Sequence, residues 1–93
     1  MSSPTLDDEV RVPERVEFSR IEDQIALLNV ETAVYFGLDE IGARMWELLC
    51  EHRRLRAAAE RMESEFDVEP DRLRADLLRL VRELVDKGLL EIA

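Results

Sequence analysis

Cys50 and His52 stand two residues apart and are the chain's single cysteine and single histidine. Together they could begin a zinc site, because zinc favours a tetrahedral set of thiolate and imidazole ligands. No second donor pair accompanies them, so both take structural or surface roles. Ser2, Ser3, Ser19 and Ser64 lack the neighbouring base pattern that would make a hydroxyl nucleophilic. The 22 carboxylates are scattered along helical stretches beside arginines. Arg61 with Glu65 and Arg79 with Glu83 have the i, i+4 spacing of solvated ion pairs. The 3 glycines form no phosphate-cradling loop. Tyr35 and Trp46 are isolated aromatics, suited to core or rim packing rather than base stacking. The sequence therefore predicts no catalytic residue, no metal and no cofactor. What remains is a surface that binds.

The segment best placed to organise that surface is Ala33-Val34-Tyr35-Phe36-Gly37-Leu38-Asp39-Glu40-Ile41-Gly42-Ala43-Arg44-Met45-Trp46. It reads as a short apolar strand entering an amphipathic helix through a Gly-Leu-Asp corner. Its setting is one small domain: 93 residues bury a modest core but enclose no deep pocket. A hydrophobic content of 46% argues against global disorder. The net charge of −9 disfavours a duplex DNA binder, which needs a clustered basic surface. No apolar run approaches the ~20 residues of a membrane span. The N-terminus has neither the basic nor the apolar region of a signal peptide. A single cysteine excludes an internal disulfide, and a cytoplasmic protein is the default expectation.

Residues 1–9 are polar and read as a flexible arm, with the folded domain spanning 10–93. Val16 and Phe18 alternate with Glu17 and Ser19, as in a half-exposed strand. Glu22-Asp23 turns the chain into a second strand, Ile25-Ala26-Leu27-Leu28, closed by Asn29. Glu31-Thr32 turns it into a third at 33–36. The three form an antiparallel meander.

Three helices follow. Asp39 can cap the first, which runs to about residue 51 with Ile41, Met45, Leu48 and Leu49 on one face. Gly42 in its first turn implies close approach of another backbone. The second, about 55–65, aligns Leu55, Ala58, Ala59, Met62 and Phe66, but Arg53 and Arg54 stand where a cap is expected. The third opens at Pro70, with Val68 and Leu73 spaced as a hydrophobic staple. It closes at Gly88, with Leu84 and Leu89 as the matching Schellman contact. Residues 89–93 can add a final strand.

The third helix is too apolar for one neighbour. Leu73, Leu77, Leu80, Leu84, Val81, Val85 and Leu78 cover an arc of about 160°, whereas packing one side needs about 100°. Either the helix packs on both the sheet and the other helices, or one margin of the arc lines a groove. Arg74 is the odd polar residue within it and can snorkel outward. The strand at 33–36 carries no proline or lysine to block pairing at its edge. An extended peptide can add to such an edge while its side chains enter a groove beside it. Coverage of that strand by the N-terminal arm is the alternative.

The residues Leu27-Leu28-Asn29, Tyr35-Phe36-Gly37-Leu38-Asp39-Glu40-Ile41-Gly42-Ala43, Trp46 and Leu48-Leu49 together resemble the pyrroloquinoline quinone synthesis D family. Phe66-Asp67-Val68-Glu69-Pro70, Asp76-Leu77 and the segment 84–90 extend the resemblance over about residues 10–92. No single motif is diagnostic; their order and spacing carry the likeness. These proteins are the peptide-recognition elements of ribosomal natural-product pathways. The resemblance implies an α+β, winged-helix-like fold with a three-stranded antiparallel sheet followed by three helices. It also implies that a precursor's leader segment adds as a strand to Thr32, Ala33, Val34, Tyr35 and Phe36. The facing wall would come from Leu73, Asp76, Leu77, Leu80 and Leu84 of the third helix. Within the family the chain looks most like the free-standing recognition proteins of lasso-peptide pathways, whose partners are a leader peptidase and a cyclase. The chain departs from the family pattern at Arg54, where a Ser or Thr cap is common.

The expected function is non-catalytic leader binding and delivery, with no nucleic acid or membrane partner and a homodimer left open. The alternatives are a chaperone for a radical enzyme in the PQQ or a related pathway, a winged-helix DNA-binding regulator, and a structural subunit of a larger enzyme.

Overall fold

Alternating polarity and tight turns build a meander, and helical periodicity then lays three helices over it. The computed structural model describes residues 3–93. A three-stranded antiparallel sheet has the order β2–β3–β4, from Val16–Ile21, Gln24–Asn29 and Val34–Leu38. Helices α1 (Glu40–His52), α2 (Leu55–Glu65) and α3 (Pro70–Asp86) follow. A separate two-stranded ribbon joins β1 (Val10–Arg11) to β5 (Glu91–Ile92). The chain thus has the expected α+β, winged-helix-like architecture.

The register sorts the sheet into two faces. Leu27 lies between Phe18 and Phe36, and Ile25 lies between Arg20 and Leu38. This inner face meets α1: Phe18 stands edge-on to Trp46 at 5.5 Å, and Arg20 pairs with Glu47. The core comprises Ile25, Leu27 and Leu38 of the sheet with Met45, Trp46, Leu48, Leu49, Leu55, Met62, Leu73, Leu77, Val81 and Leu84 of the helices. Ile41, expected on the packed face of α1, is instead 43% exposed. It lies in the helix's first turn, beyond the strip that contacts the sheet.

Several helix ends follow their sequence signals. The Asp39 carboxylate accepts from Gly42 N–H at 2.8 Å. A Cβ on Gly42 would meet the side chains of Leu38 and Asp39 at 3.3–3.5 Å. The crowding at Gly42 therefore comes from those side chains, not from a second backbone. Gly88 is left-handed, with φ of 72°. Its N–H donates to Val85 and that of Leu89 to Leu84, at 3.0 and 2.8 Å. These two bonds complete a Schellman motif. Val68 is 42% exposed beside the buried Leu73, so the proposed staple does not bury both residues.

The start of α2 resolves its missing cap. Arg54 makes no side-chain capping bond. Instead, Leu55 N–H donates to the Asp8 carbonyl at 3.0 Å and Arg56 N–H to the Leu6 carbonyl at 2.9 Å. Arg54 pairs with Glu9 and Arg56 with Asp7, at 2.8 and 2.9 Å. From Thr5 onward the expected flexible arm is therefore a backbone cap for α2; its first two residues lie outside the described ones. Deleting residues 1–9 should expose two helix-terminal amides and remove the packing of Leu6. A cap is worth ~1 kcal/mol, so the expected loss is about 2 kcal/mol, or roughly 10 °C in melting temperature for a domain of this size. Calorimetry checks the magnitude. Faster hydrogen exchange at Leu55 and Arg56 would localise it.

Ion pairs tie the remaining elements. Arg44 reaches Glu65 at 2.5 and 2.8 Å, joining α1 to α2, and holds that carboxyl below its ordinary range. Arg74 pairs with Glu63 at 2.9 and 3.2 Å. This pair joins α2 to α3 and explains the polar break in the apolar arc. Arg61–Glu65 forms at 3.4 Å as expected. Arg79 instead turns one step N-terminally, to Asp76 rather than Glu83.

Candidate functional site

Strand β4 pairs with β3 on one side and, among the described residues, with nothing on the other. The strand begins one residue later than expected. Ala33 sits in the preceding turn at φ of 61°, with its N–H on the Asn29 carbonyl at 2.8 Å. A left-handed residue cannot continue a strand, so Thr32 and Ala33 flank the edge without belonging to it. At the other end the strand continues through Gly37 and Leu38. The apolar–polar alternation runs on to the buried Leu38, a signal that the Gly-Leu-Asp corner concealed.

Ladder geometry shows which peptide groups are free. Val30 N–H donates to the Arg15 carbonyl at 2.9 Å, one step beyond the Val16–Asn29 pair. Hydrogen-bonded pairs recur at every second residue. Leu28, Ala26 and Gln24 therefore turn their peptide groups toward β2, whereas Asn29, Leu27 and Ile25 turn theirs toward β4. The partners of this second set are Val34, Phe36 and Leu38. Tyr35 and Gly37 consequently aim their N–H and C=O groups out of the open edge. The side chains of Val34 and Phe36 are half-buried on the inner side. Tyr35 faces outward at 67% exposure, not in the core.

The C-terminal end of α3 approaches this strand. Lys87, the chain's one lysine, holds its ammonium 5.8 Å from the Phe36 ring centroid, within cation–π range. Asp76, Leu80, Glu83 and Lys87 follow one another at i, i+4, i+7 and i+11 and share one side of the helix. The C-terminal end of that side reaches β4 through Lys87. The opposite margin, at Leu78, adjoins Ser3 and Pro4 of the N-terminal segment.

The predicted helix residues therefore divide. Asp76 and Leu80 are half-buried, on the same side of α3 as Lys87. Leu73, Leu77 and Leu84 are 3%, 0% and 0% exposed and belong to the core. They cannot present side chains to a ligand, because the same arc that suggested a wall is used to pack the helix. A charge at Leu77 would test folding, whereas one at Leu80 tests the wall.

Asn29 fixes the distance between the two walls. It is 1% exposed. Its carboxamide donates to the Gly88 carbonyl at 2.9 Å and accepts from Glu31 and Thr32 N–H at 3.0 and 3.1 Å. One side chain thus ties the β3–β4 turn to the end of α3. Sequence reasoning read Asn29 only as a strand terminator, and it missed Gly37 and Lys87.

Elsewhere, Cys50 is half-buried, and burial pushes its thiol above the ordinary value, away from reactive thiolate. Among the described residues, no three His, Cys, Asp or Glu side chains gather where they could hold a metal. No helix there is long and apolar enough to cross a membrane.

A family model described as coenzyme PQQ synthesis protein D matches residues 24–90. This span contains the open edge, Asn29 and α3. No curated protein sequence matches the chain. Among solved structures, TbiB1 in complex with the TbiA(beta) leader peptide is 34% identical, with a TM-score of 0.82 over 87% of this chain and 94% of that one. A lasso peptide synthetase B1 complexed with the leader peptide shares the fold at 22% identity. Its TM-score is 0.80, over 89% of this chain and 98% of that one.

Proposed function

The chain belongs to the coenzyme PQQ synthesis protein D family, and on that premise we propose that it binds the leader segment of a ribosomally made precursor peptide without catalysing a reaction. The observation that carries this reading is the open edge of β4 beside α3, in a chain 34% identical to a protein whose structure holds a leader peptide. The leader adds as a strand along β4. Tyr35 and Gly37 supply its backbone hydrogen bonds, which give affinity with little demand on sequence. Val34, Phe36, Leu80 and the stem of Lys87 receive its inward side chains, and Asp76 lies farther along the same wall.

The bound leader holds the rest of the precursor near a maturation enzyme. Tethering of this kind raises effective concentration without any catalytic group on the tether. The likeness to TbiB1 favours a lasso-peptide pathway, with a leader peptidase and then a cyclase as the enzymes served. A DNA-binding reading finds no support in α3: Arg72, Arg79 and Arg82 are interleaved with Asp76, Glu83 and Asp86, and Arg79 is already paired.

Titration of the chain into a fluorescently labelled leader of its own pathway's precursor tests this function. Saturable binding with a Kd near or below about 10 μM, roughly −7 kcal/mol, is expected. A duplex oligonucleotide at low salt should leave the signal unchanged. Absence of leader binding at ten times that concentration would refute the reading.

A further inference from the structure

No arginine or lysine occurs between Arg20 and Arg44, and the segment framing β4 is acidic, with Glu31 before it and Asp39 and Glu40 after it. The cation that reaches this strand comes from the end of α3. Glu83 stands one turn before Lys87, at the spacing of a favourable Glu–Lys pair. The two do not pair, and among the described residues Lys87 joins no ion pair. Its ammonium lies 5.8 Å from the centroid of the Phe36 ring instead. Other cations of α3 are placed elsewhere: Arg72 in its first turn, Arg79 on Asp76, and Arg82 five residues from Lys87, about 140° around the helix.

The hydrogen-bond phase of β4 gives this position its meaning. A strand added to the open edge bonds to Tyr35 and Gly37, so its residue opposite Phe36 forms a non-hydrogen-bonded pair. Facing residues of such a pair approach most closely, with Cα atoms about 4.5 Å apart, and their side chains share one face of the sheet. On that face, beside Phe36, sits the Lys87 ammonium.

From this we infer that Lys87 is a specificity-determining residue, which selects a leader carrying aspartate or glutamate opposite Phe36. The inference rests on the leader-binding reading and names the side-chain chemistry which that site selects. The leader's carboxylate accepts a hydrogen bond from the Lys87 ammonium. This contact also sets register. Backbone bonds alone tolerate a slide of two residues, which keeps every side chain on its face. Such a slide moves the carboxylate about 7 Å along the strand, away from Lys87 and toward Glu31 or Asp39. A cation at a helix C-terminus also favours the helix dipole, but that role acts on stability and is indifferent to the leader's charge.

Lys87→Met keeps an apolar stem and removes the charge. The probes are labelled leaders of the pathway's own precursor, in which each Asp or Glu is replaced in turn by its amide. Affinities are read by fluorescence anisotropy. One replacement should weaken binding to the wild-type chain about fivefold, the upper range for a partly exposed ion pair. The same replacement should change the affinity of Lys87→Met by less than twofold, and Lys87→Met should bind the unaltered leader about as weakly as wild type binds the altered one. Lys87→Glu should prefer a leader with lysine at that position over the unaltered leader. Added salt should bring the ratio of wild-type to Lys87→Met affinity toward one. Amide replacements that act equally on wild type and Lys87→Met would overturn the inference. So would an equal loss of affinity by Lys87→Met for every leader together with a lowered melting temperature, the mark of a structural role. Failure of the wild-type chain to bind the unaltered leader would instead refute the parent reading, before any variant is compared.

Discussion

Replacing Tyr35 with proline should weaken leader binding at least tenfold while leaving the domain folded. Position 35 is chosen by the hydrogen-bond phase of β4. Its peptide N–H faces the open edge, so proline removes no bond to β3. Proline is tolerated in an edge strand when its missing N–H would have faced solvent, and the preceding Val34 is already extended as proline requires. The incoming leader loses one backbone partner, worth about 0.5–1.5 kcal/mol net. It also meets the pyrrolidine ring where its own carbonyl should approach. Together these exceed the ~1.4 kcal/mol of a tenfold change. Val34→Pro is the contrasting variant: Val34 is a ladder partner of Asn29, so proline there breaks the sheet itself and the melting temperature should fall. Fluorescence anisotropy with a labelled leader and a thermal melt read both variants. Wild-type affinity in folded Tyr35→Pro would rule out strand addition at β4.

That choice of residue needed the structure, although much around it did not. Asp39 and Gly88 were readable because helix ends are set by local chemistry, a short carboxylate at one end and a left-handed glycine at the other. The meander was readable because polar turns interrupt alternating strands. Contacts between distant segments were less accessible. The ribbon joining Val10–Arg11 to Glu91–Ile92 has too few residues to show a period. The zipper of residues 5–9 on α2 left only a charge trace: Asp7 and Glu9 mirror Arg56 and Arg54 in antiparallel order. The width of the α3 arc was legible, but its division was not. Leu77 and Leu80 are the same residue type on adjoining positions of one face; only three-dimensional packing makes one core and the other margin. The phase of the β4 ladder is equally silent, since a shift of one residue leaves strand composition unchanged and exchanges which peptide groups are free.

Asn29 is where the fold and the proposed site depend on the same atoms, and its substitution should have the largest effect on stability. Removing its carboxamide in Asn29→Ala leaves the Gly88 carbonyl and the Glu31 and Thr32 amides without their partner. Water can reach the exposed turn residues more readily than the end of α3, so the three bonds do not count equally. An unsatisfied buried group costs about 1–3 kcal/mol, and a total near 3 kcal/mol is expected, a drop of more than 10 °C in melting temperature. The β3–β4 turn would then drift from α3, and leader affinity should fall although Asn29 touches no leader atom. Asn29→Asp separates the donor from the acceptor role. Its carboxylate can still accept from Glu31 and Thr32, but when ionised it opposes the Gly88 carbonyl at the negative end of the α3 dipole. The two turn amides favour the carboxylate, but they lie in the exposed turn; burial beside the Gly88 carbonyl, to which the protonated acid can donate, outweighs them, so the folded pKa lies above the unfolded value of ~3.9. A raised folded pKa means that stability is full below the unfolded pKa and is lost as pH rises through the folded one. Relative to wild type, Asn29→Asp should therefore be closest in stability at acidic pH and lose ground toward neutrality. A difference in melting temperature that is flat with pH would show that the Gly88 hydrogen bond does not hold α3 against the strand edge.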